Sequence, residues 1–380
     1  MTTRELTMTI SSFHPTPRTL MGPGPSDVSP RILSALGRPT IGHLDPEFVQ
    51  MMDEIKSLLQ YAFQTNNELT MAVSAPGSAG METCFVNLVE PGEKVIVCVN
   101  GVFGSRMVEN VERLGAKAIV INDDWGTPVS IEKVKQAFKD NSDVKFLAFV
   151  HAETSTGVLS DAKTLCEIAR ENSALSIVDA VTSLGGVELR VDDWGIDAIY
   201  SGSQKCLSCV PGISPISFSE KAVEKLQNRQ SKVPSWFLDL SLVMGYWGGE
   251  GKRSCHHTAP VNSLYALHES LVMLQDEGLE NAWQRHDEQH QKLKKGLTKL
   301  GINFVVDEKY RLPQLNTVLI PEGVDDAAVR QALLNNYNLE IGAGLGSFAG
   351  KAWRIGLMGY AARTENVTLC LAALTDVLDK

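Results

Sequence analysis

The 380-residue chain is short of several features that would settle its class quickly. No stretch approaches the roughly 18 consecutive apolar residues of a membrane-spanning helix, so an integral helical membrane protein is not expected. Basic residues are outnumbered, with 35 Lys and Arg against 45 Asp and Glu. The resulting net charge of -10, with no basic run interleaved with aromatics, argues against a nucleic-acid surface. The first twenty residues lack the basic-then-apolar layout of a secretory signal and read as an irregular arm over residues 1–21. Cysteines number only seven, an odd and scattered set, which fits free thiols in a reducing, cytoplasmic setting better than a disulfide framework. Internal repeats and low-complexity segments are missing as well.

What the chain does have is alternation. The runs KVIVCVN (94–100), KAIVIN (117–122), FLAFVHAE (146–153), LSIVDAV (175–181), IDAIYSG (196–202) and SPISFS (214–219) read as buried strands. Between several of them lie amphipathic segments, FGSRMVENVERLG, SIEKVKQAFKD and DAKTLCEIARENS, which read as helices. Such alternation predicts an α/β fold, with a mostly parallel sheet flanked by helices over residues 22–260. Beyond residue 260 the pattern turns to long helical stretches with a break near Gly278, then to LNTVLIP and AWRIGLMG. This predicts a connecting helix and a smaller α+β domain over 261–380. GAGLGS (342–347) reads as a tight loop.

In open parallel sheets, ligands bind beyond the carboxyl ends of the strands, so chemistry is sought there. Two such ends carry charge. LSIVD ends at Asp179, which fits a turn residue, a helix cap or a buried functional acid. IDAIYSGSQKCLSCVPG places Lys205 between an apolar strand and an apolar turn, where an ammonium is costly unless paired or neutralised. A carboxylate and an amine facing one crevice are what pyridoxal phosphate requires. The amine bonds the aldehyde, and the acid keeps the pyridine nitrogen protonated. SAPGSAGMETCFVNLVEPG (74–92) offers small residues opening a helix, suited to a phosphate, although many ordinary helices start this way. Phe103 could cover a cofactor ring or simply pack, and Arg354 could fork onto a carboxylate or lie in an ion pair.

A metal reading competes. His151 and Glu153, with Cys206 and Cys209, imitate the His-x-Glu and Cys-x-x-Cys of a zinc-dependent hydrolase or deaminase. Lysine rather than proline precedes Cys206, and the two halves lie more than 50 residues apart. The adjacent His256 and His257 lack matched partners.

Taken together, GPGPSDVSPRIL, FGSR, HAETSTGVL, VDAVTSLGG, YSGSQKCL, HHTAPVNSLYALHESL and WRIGLMG resemble the class V aminotransferases of pyridoxal-phosphate fold type I, from about residue 20 to the end. The resemblance implies a large cofactor-binding domain, a small C-terminal domain, and pyridoxal 5'-phosphate as cofactor. It implies transfer of the amino group of a small amino acid, L-alanine or L-serine, to glyoxylate, with an ureido-substituted glycine as an alternative donor. Lys205 matches the cofactor lysine, and Asp179 the partner of the pyridine nitrogen. Thr154 matches a hydroxyl near the phenolic oxygen, while Gly77, Ser78 and Gln204 match the phosphate cup. Thr258 would reach that phosphate from the second subunit of a homodimer whose active site lies at the interface. Phe103 takes the ring-stacking position, Arg354 the substrate carboxylate, and Gly24 of the GPGP segment a place beside the substrate. Three residues depart from the family pattern: Phe103 where Trp or Tyr is frequent, Pro76 where Ser is common, and Cys255 where Tyr is usual. Cysteine desulfuration, a related chemistry, needs a reactive cysteine on a mobile loop. Beyond residue 255 only Cys370 remains, in a predicted helix.

Overall fold

A computed structural model describes residues 10–248 and 253–379. At its centre lies a seven-stranded sheet: β1 (Leu69–Val73), β2 (Lys94–Val99), β3 (Lys117–Asn122), β4 (Val144–Val150), β5 (Leu175–Asp179), β6 (Ala198–Tyr200) and β7 (Ser214–Phe218). Their spatial order is β1-β7-β6-β5-β4-β2-β3. Neighbours from β6 to β3 are parallel, while β7 runs antiparallel to both β6 and β1. Six strands therefore point one way, and their carboxyl ends gather along one rim. β7 alone is reversed. The strands β2, β5 and β7 are nearly continuous runs of buried residues, as a sheet covered on both faces requires.

The helices predicted between the strands form, with recognisable starts. Ser130 and Asp161 cap the helices Ile131–Asp140 and Ala162–Glu171 by accepting N–H groups of Lys133 and Thr164. The long helical stretch does break at Gly278, whose φ of 85° separates Val261–Glu277 from Leu279–Lys299. Such a φ suits glycine, because a side chain there meets the backbone.

Three further strands, β8 (Leu315–Leu319), β9 (Gly342–Ala343) and β10 (Ala352–Gly356), make a small antiparallel sheet in the order β8-β10-β9. The opening of GAGLGS is thus a strand rather than part of a loop: Gly342 and Ala343 pair with Arg354 and Trp353. The short apolar run FVVD at 304–307 contributes an isolated bridge from Phe304 to Val318. The pair Thr19–Leu20 runs parallel to Leu339–Glu340, and Met21 is buried in the core of this small unit. Residues 1–9 of the expected N-terminal arm lie outside the described residues.

Three hydrophobic clusters result among the described residues. One spans the large sheet and its helices as far as Ala282, a second includes Met21, Leu293, Trp353 and Ile355, and a small third joins Ala152 and Cys206 to Leu312, Leu315 and Met358. Side chains alternate between the two faces along β10. With Trp353 and Ile355 turned into the small core, Arg354 between them faces the rim of the large sheet.

Candidate active site

The loops after β1, β2, β4, β5 and β6 and one residue of β10 meet at this rim. Asp179 is the last residue of β5 and is buried. Its Oδ1 accepts the Val181 N–H at 2.8 Å, and its Oδ2 accepts the Tyr200 hydroxyl at 2.7 Å. Burial pushes its carboxyl up to about 7, against the pull of both donors. Lys205 follows β6 and is half-buried. Burial pushes its amine down to about 8, with Cys206 and Asp179 acting to raise it and Arg354 to lower it. The Lys205 Nζ donates to the Pro23 carbonyl. The GPGP segment is fastened over this lysine: the Ser26 hydroxyl donates to the Lys205 carbonyl at 2.7 Å, and the Ser26 N–H to the Gln204 carbonyl at 2.9 Å. A Cβ on Gly24 would sit 2.7 Å from Lys205 Cδ, so only glycine lets this segment lie so close.

Arg354 is buried, and burial pushes its guanidinium down to about 10 against a nearby Glu153. Its Nε donates to the Ala343 carbonyl at 2.7 Å and its Nη1 to the Thr154 carbonyl at 3.2 Å. Among the described residues, Nη2 has no partner. Thr154 itself is buried, its hydroxyl 3.2 Å from that of Thr182.

Gly77 opens the helix Gly77–Leu88, whose N-cap Pro76 provides no side-chain hydrogen bond. Among the described residues, the Gly77 and Ser78 N–H groups find no acceptor. A Cβ on Gly77 would lie 3.3 Å from Val181 Cγ2 and 3.7 Å from Gly202 Cα, which places this helix start against the strand ends carrying Asp179 and Lys205. The Gln204 Oε1 is buried without a partner. Phe103 is the second residue of the helix Val102–Arg113 and is half-buried, with the Arg106 guanidinium 4.9 Å from its ring centre.

Asp179, Lys205, Gln204, Gly24, Gly77, Thr154 and Arg354 are thus brought together, with Ser78 and Phe103 at their edge. Thr258 is not: it lies on the surface beside His257, whose Nε2 is 2.7 Å from the Ser74 hydroxyl. The metal pattern dissolves. Glu153 is bound by Ser155 and by the Phe103 N–H, Cys206 gives its thiol proton to the Thr182 carbonyl, and burial pushes both Cys206 and Cys209 up to about 12. Among the described residues, no three His, Cys, Asp or Glu side chains gather as a metal site.

Three residues of the site escape a reading of the sequence. Tyr200 reads as one more apolar strand residue, although it binds Asp179. Thr182 lies within VDAVTSLGG without a partner in view. Glu153 reads only as a metal-site residue. Each owes its place to a contact between strand ends that the linear sequence does not display.

The sequence profile described as Aminotransferase class-V matches residues 31–367. The chain belongs to the class V aminotransferases. It is 44% identical over 363 residues to an alanine–glyoxylate aminotransferase of Rattus norvegicus, covering 95% of this chain and 87% of that protein. It is 36% identical to a (S)-ureidoglycine–glyoxylate transaminase of Bacillus subtilis, covering 95% and 90%. The crystal structure of an alanine–glyoxylate aminotransferase from Nostoc sp. superposes with a TM-score of 0.95 at 47% identity, covering 98% of each chain. The fold is that of the fold type I pyridoxal-phosphate enzymes, and the protein is an aminotransferase with pyridoxal 5'-phosphate as its cofactor. The residues fit that group. Two unpaired helix N–H groups and the Ser78 hydroxyl are donors suited to a phosphate, and Lys205 and Asp179 offer an amine and an acid.

Proposed function

We propose that this aminotransferase moves the amino group of L-alanine to glyoxylate, giving pyruvate and glycine. The observation that carries the reading is the buried Asp179 and the half-buried Lys205, which follow neighbouring strands and face an Arg354 whose Nη2 is left for a carboxylate. The name and the 44% identity of the Rattus norvegicus relative support the pairing of alanine with glyoxylate. L-Serine and an ureido-substituted glycine are the alternative donors, the second supported by the Bacillus subtilis relative.

Lys205, Asp179, Gly77, Ser78, Gln204, Phe103 and Thr154 would hold the cofactor. When bound, pyridoxal phosphate supplies a pyridinium ring that withdraws the electron pair left as the α-proton departs. The chain's own residues do the rest. Arg354 binds the substrate carboxylate through Nη2 and fixes the direction of the α-C–H bond. Lys205, with its amine pushed down to about 8, gives up its proton more readily than an exposed lysine, and in the neutral form its Nζ accepts the α-proton as general base. Asp179 keeps a proton on the ring nitrogen. A cation at that nitrogen favours its charged form, which burial alone disfavours.

The same reading includes a homodimer. Trp236, 63% exposed, stacks on His256 at 4.4 Å between ring centres, and the exposed Phe237 has its ring centre 6.0 Å from that of the same histidine. Apolar surface of this kind calls for a cover, and a second copy would bring its Thr258 to the phosphate end of the site. A cytoplasmic location is supported by seven unpaired cysteines. No helix among the described residues is long and apolar enough to cross a membrane.

The deciding experiment loads the protein with pyridoxal phosphate and adds L-alanine without an acceptor. The visible band of the lysine-bound cofactor is expected to vanish as one pyruvate per site appears, and glyoxylate to restore it. A band that responds to L-serine or ureidoglycine but not to L-alanine transfers the assignment to that donor. No band on loading overturns the role of Lys205.

A further inference from the structure

Glu153 is fully buried, yet among the described residues no cation forms an ion pair with it. A carboxylate removed from water needs strong partners. It finds them at the start of another element. Its Oε1 accepts the Ser155 N–H at 3.0 Å and the Ser155 hydroxyl at 2.5 Å, and its Oε2 accepts the Phe103 N–H at 3.2 Å. The Ser155 hydroxyl in turn accepts the Val102 N–H at 3.0 Å. These are the first N–H groups of the helix Val102–Arg113, whose N-cap is Gly101 and has no side chain to cap with. A Cβ on Gly101 would overlap the side chains of Glu153 and Ser155, so the glycine is what admits them. The loop after β4 therefore caps a helix that begins after β2. The positive end of that helix in turn favours the carboxylate.

Glu153 also adjoins Thr154, whose hydroxyl meets Thr182 and whose carbonyl receives Arg354. Asp179 and Arg354 are the charged site groups within its electrostatic reach. One carboxylate thus ties the backbone that carries the Phe103 ring to the loop that carries Thr154. We propose that Glu153 is a positioning residue of the active site, fixing the Phe103 ring where the cofactor ring stacks by holding the Phe103 N–H. This inference rests on the pyridoxal-phosphate reading of the site.

Glu153→Gln tests it. Both carboxylate oxygens face donors, so the amide must turn its own NH2 toward one of them. Three readouts apply: cofactor retention on gel filtration, circular dichroism of the bound cofactor's visible band, and melting temperature with and without cofactor. Retention is expected to weaken about ten-fold, a typical result of losing a hydrogen bond to a charged group. The band's dichroism should shrink, and the stabilisation that cofactor confers on melting should narrow. In a Phe103→Leu background the same substitution should change retention less than about two-fold, because its effect passes through the ring. Ser155→Ala removes one donor to the carboxylate and the Val102 acceptor, and should shift the same readouts in the same direction even where Glu153→Gln does not fold. The proposal is overturned if Glu153→Gln or Ser155→Ala lowers both melting temperatures equally with retention and dichroism unchanged. Full additivity with Phe103→Leu overturns it as well. Wild-type protein that shows no cofactor band removes the underlying reading instead, a separate and visible result.

Discussion

Asp179 illustrates how much one residue depends on neighbours that its own sequence position does not announce. Burial alone drives the carboxyl up, and two donors, the Val181 N–H and the Tyr200 hydroxyl, pull it back to about 7. Tyr200→Phe removes one of those donors and keeps the ring that fills the core. The carboxyl must then titrate higher, by about one to two pH units if a hydrogen bond to a charged group contributes about 1.5–3 kcal/mol. Because the role proposed for Asp179 needs the carboxylate, activity should be lost as pH falls through this titration. The acid limb of the kcat/KM profile should therefore move to higher pH in Tyr200→Phe, with the loss greatest on the acid side and smaller above it. A uniform loss at every pH would assign Tyr200 to packing alone. The acid and the lysine are legible in the sequence because charge at the end of an apolar run is conspicuous. Tyr200 is not, since tyrosine in such a run is ordinary and its partner lies 21 residues earlier on the adjacent strand.

Elements are legible where they stand on local pattern and illegible where they stand on pairing. The runs that form β2 and β4 to β7 are dense in buried residues, and the caps Ser130 and Asp161 mark helix starts. LTMAV (69–73) is inconspicuous as β1, being short and set between polar segments. Its place is fixed by β7, which comes 140 or more residues later. The reversal of β7 is equally hidden, because a strand buried on both faces reads alike in either direction. Gly342–Ala343 reads as loop for a similar reason: glycine is a poor strand former, and only β10 makes it one. The helix Gly77–Leu88 is the element whose start is proposed to hold the cofactor's phosphate. Pro76 gives it no side-chain cap, so its first N–H groups and the exposed Ser78 hydroxyl are left for an anion. Ser78→Ala should weaken cofactor retention several-fold, measured by equilibrium dialysis. Its effect on the stability of the cofactor-free protein should stay within about 0.5 kcal/mol, as for other exposed positions. Loss of stability without loss of retention would make Ser78 a helix residue and nothing more.

At the scale of the whole molecule, the site is assembled where two larger cores meet across a small shared cluster of Ala152, Cys206, Leu312, Leu315 and Met358. Arg354 belongs by its strand to the small core and by its contacts to the large sheet, so the substrate binding proposed for it depends on how the two units meet. The proposed second copy adds a third part. Thr258 stands on the surface of its own subunit, close to His256, His257 and the exposed Trp236 and Phe237. Substitution of Trp236 by aspartate places a charge in this apolar patch, at a position 63% exposed, where the isolated subunit has little packing to lose. If the patch is the seat of the partner, burying an unpaired carboxylate there disfavours association strongly. Trp236→Asp should sediment as a monomer with an unchanged circular dichroism spectrum. Its cofactor retention should fall as Thr258 is withdrawn, and its pyruvate production from L-alanine and glyoxylate with it. Raising the protein concentration should restore both together, because mass action re-forms the dimer. A monomer that keeps its cofactor and its rate would show that the site is complete within one chain, and would remove Thr258 from it.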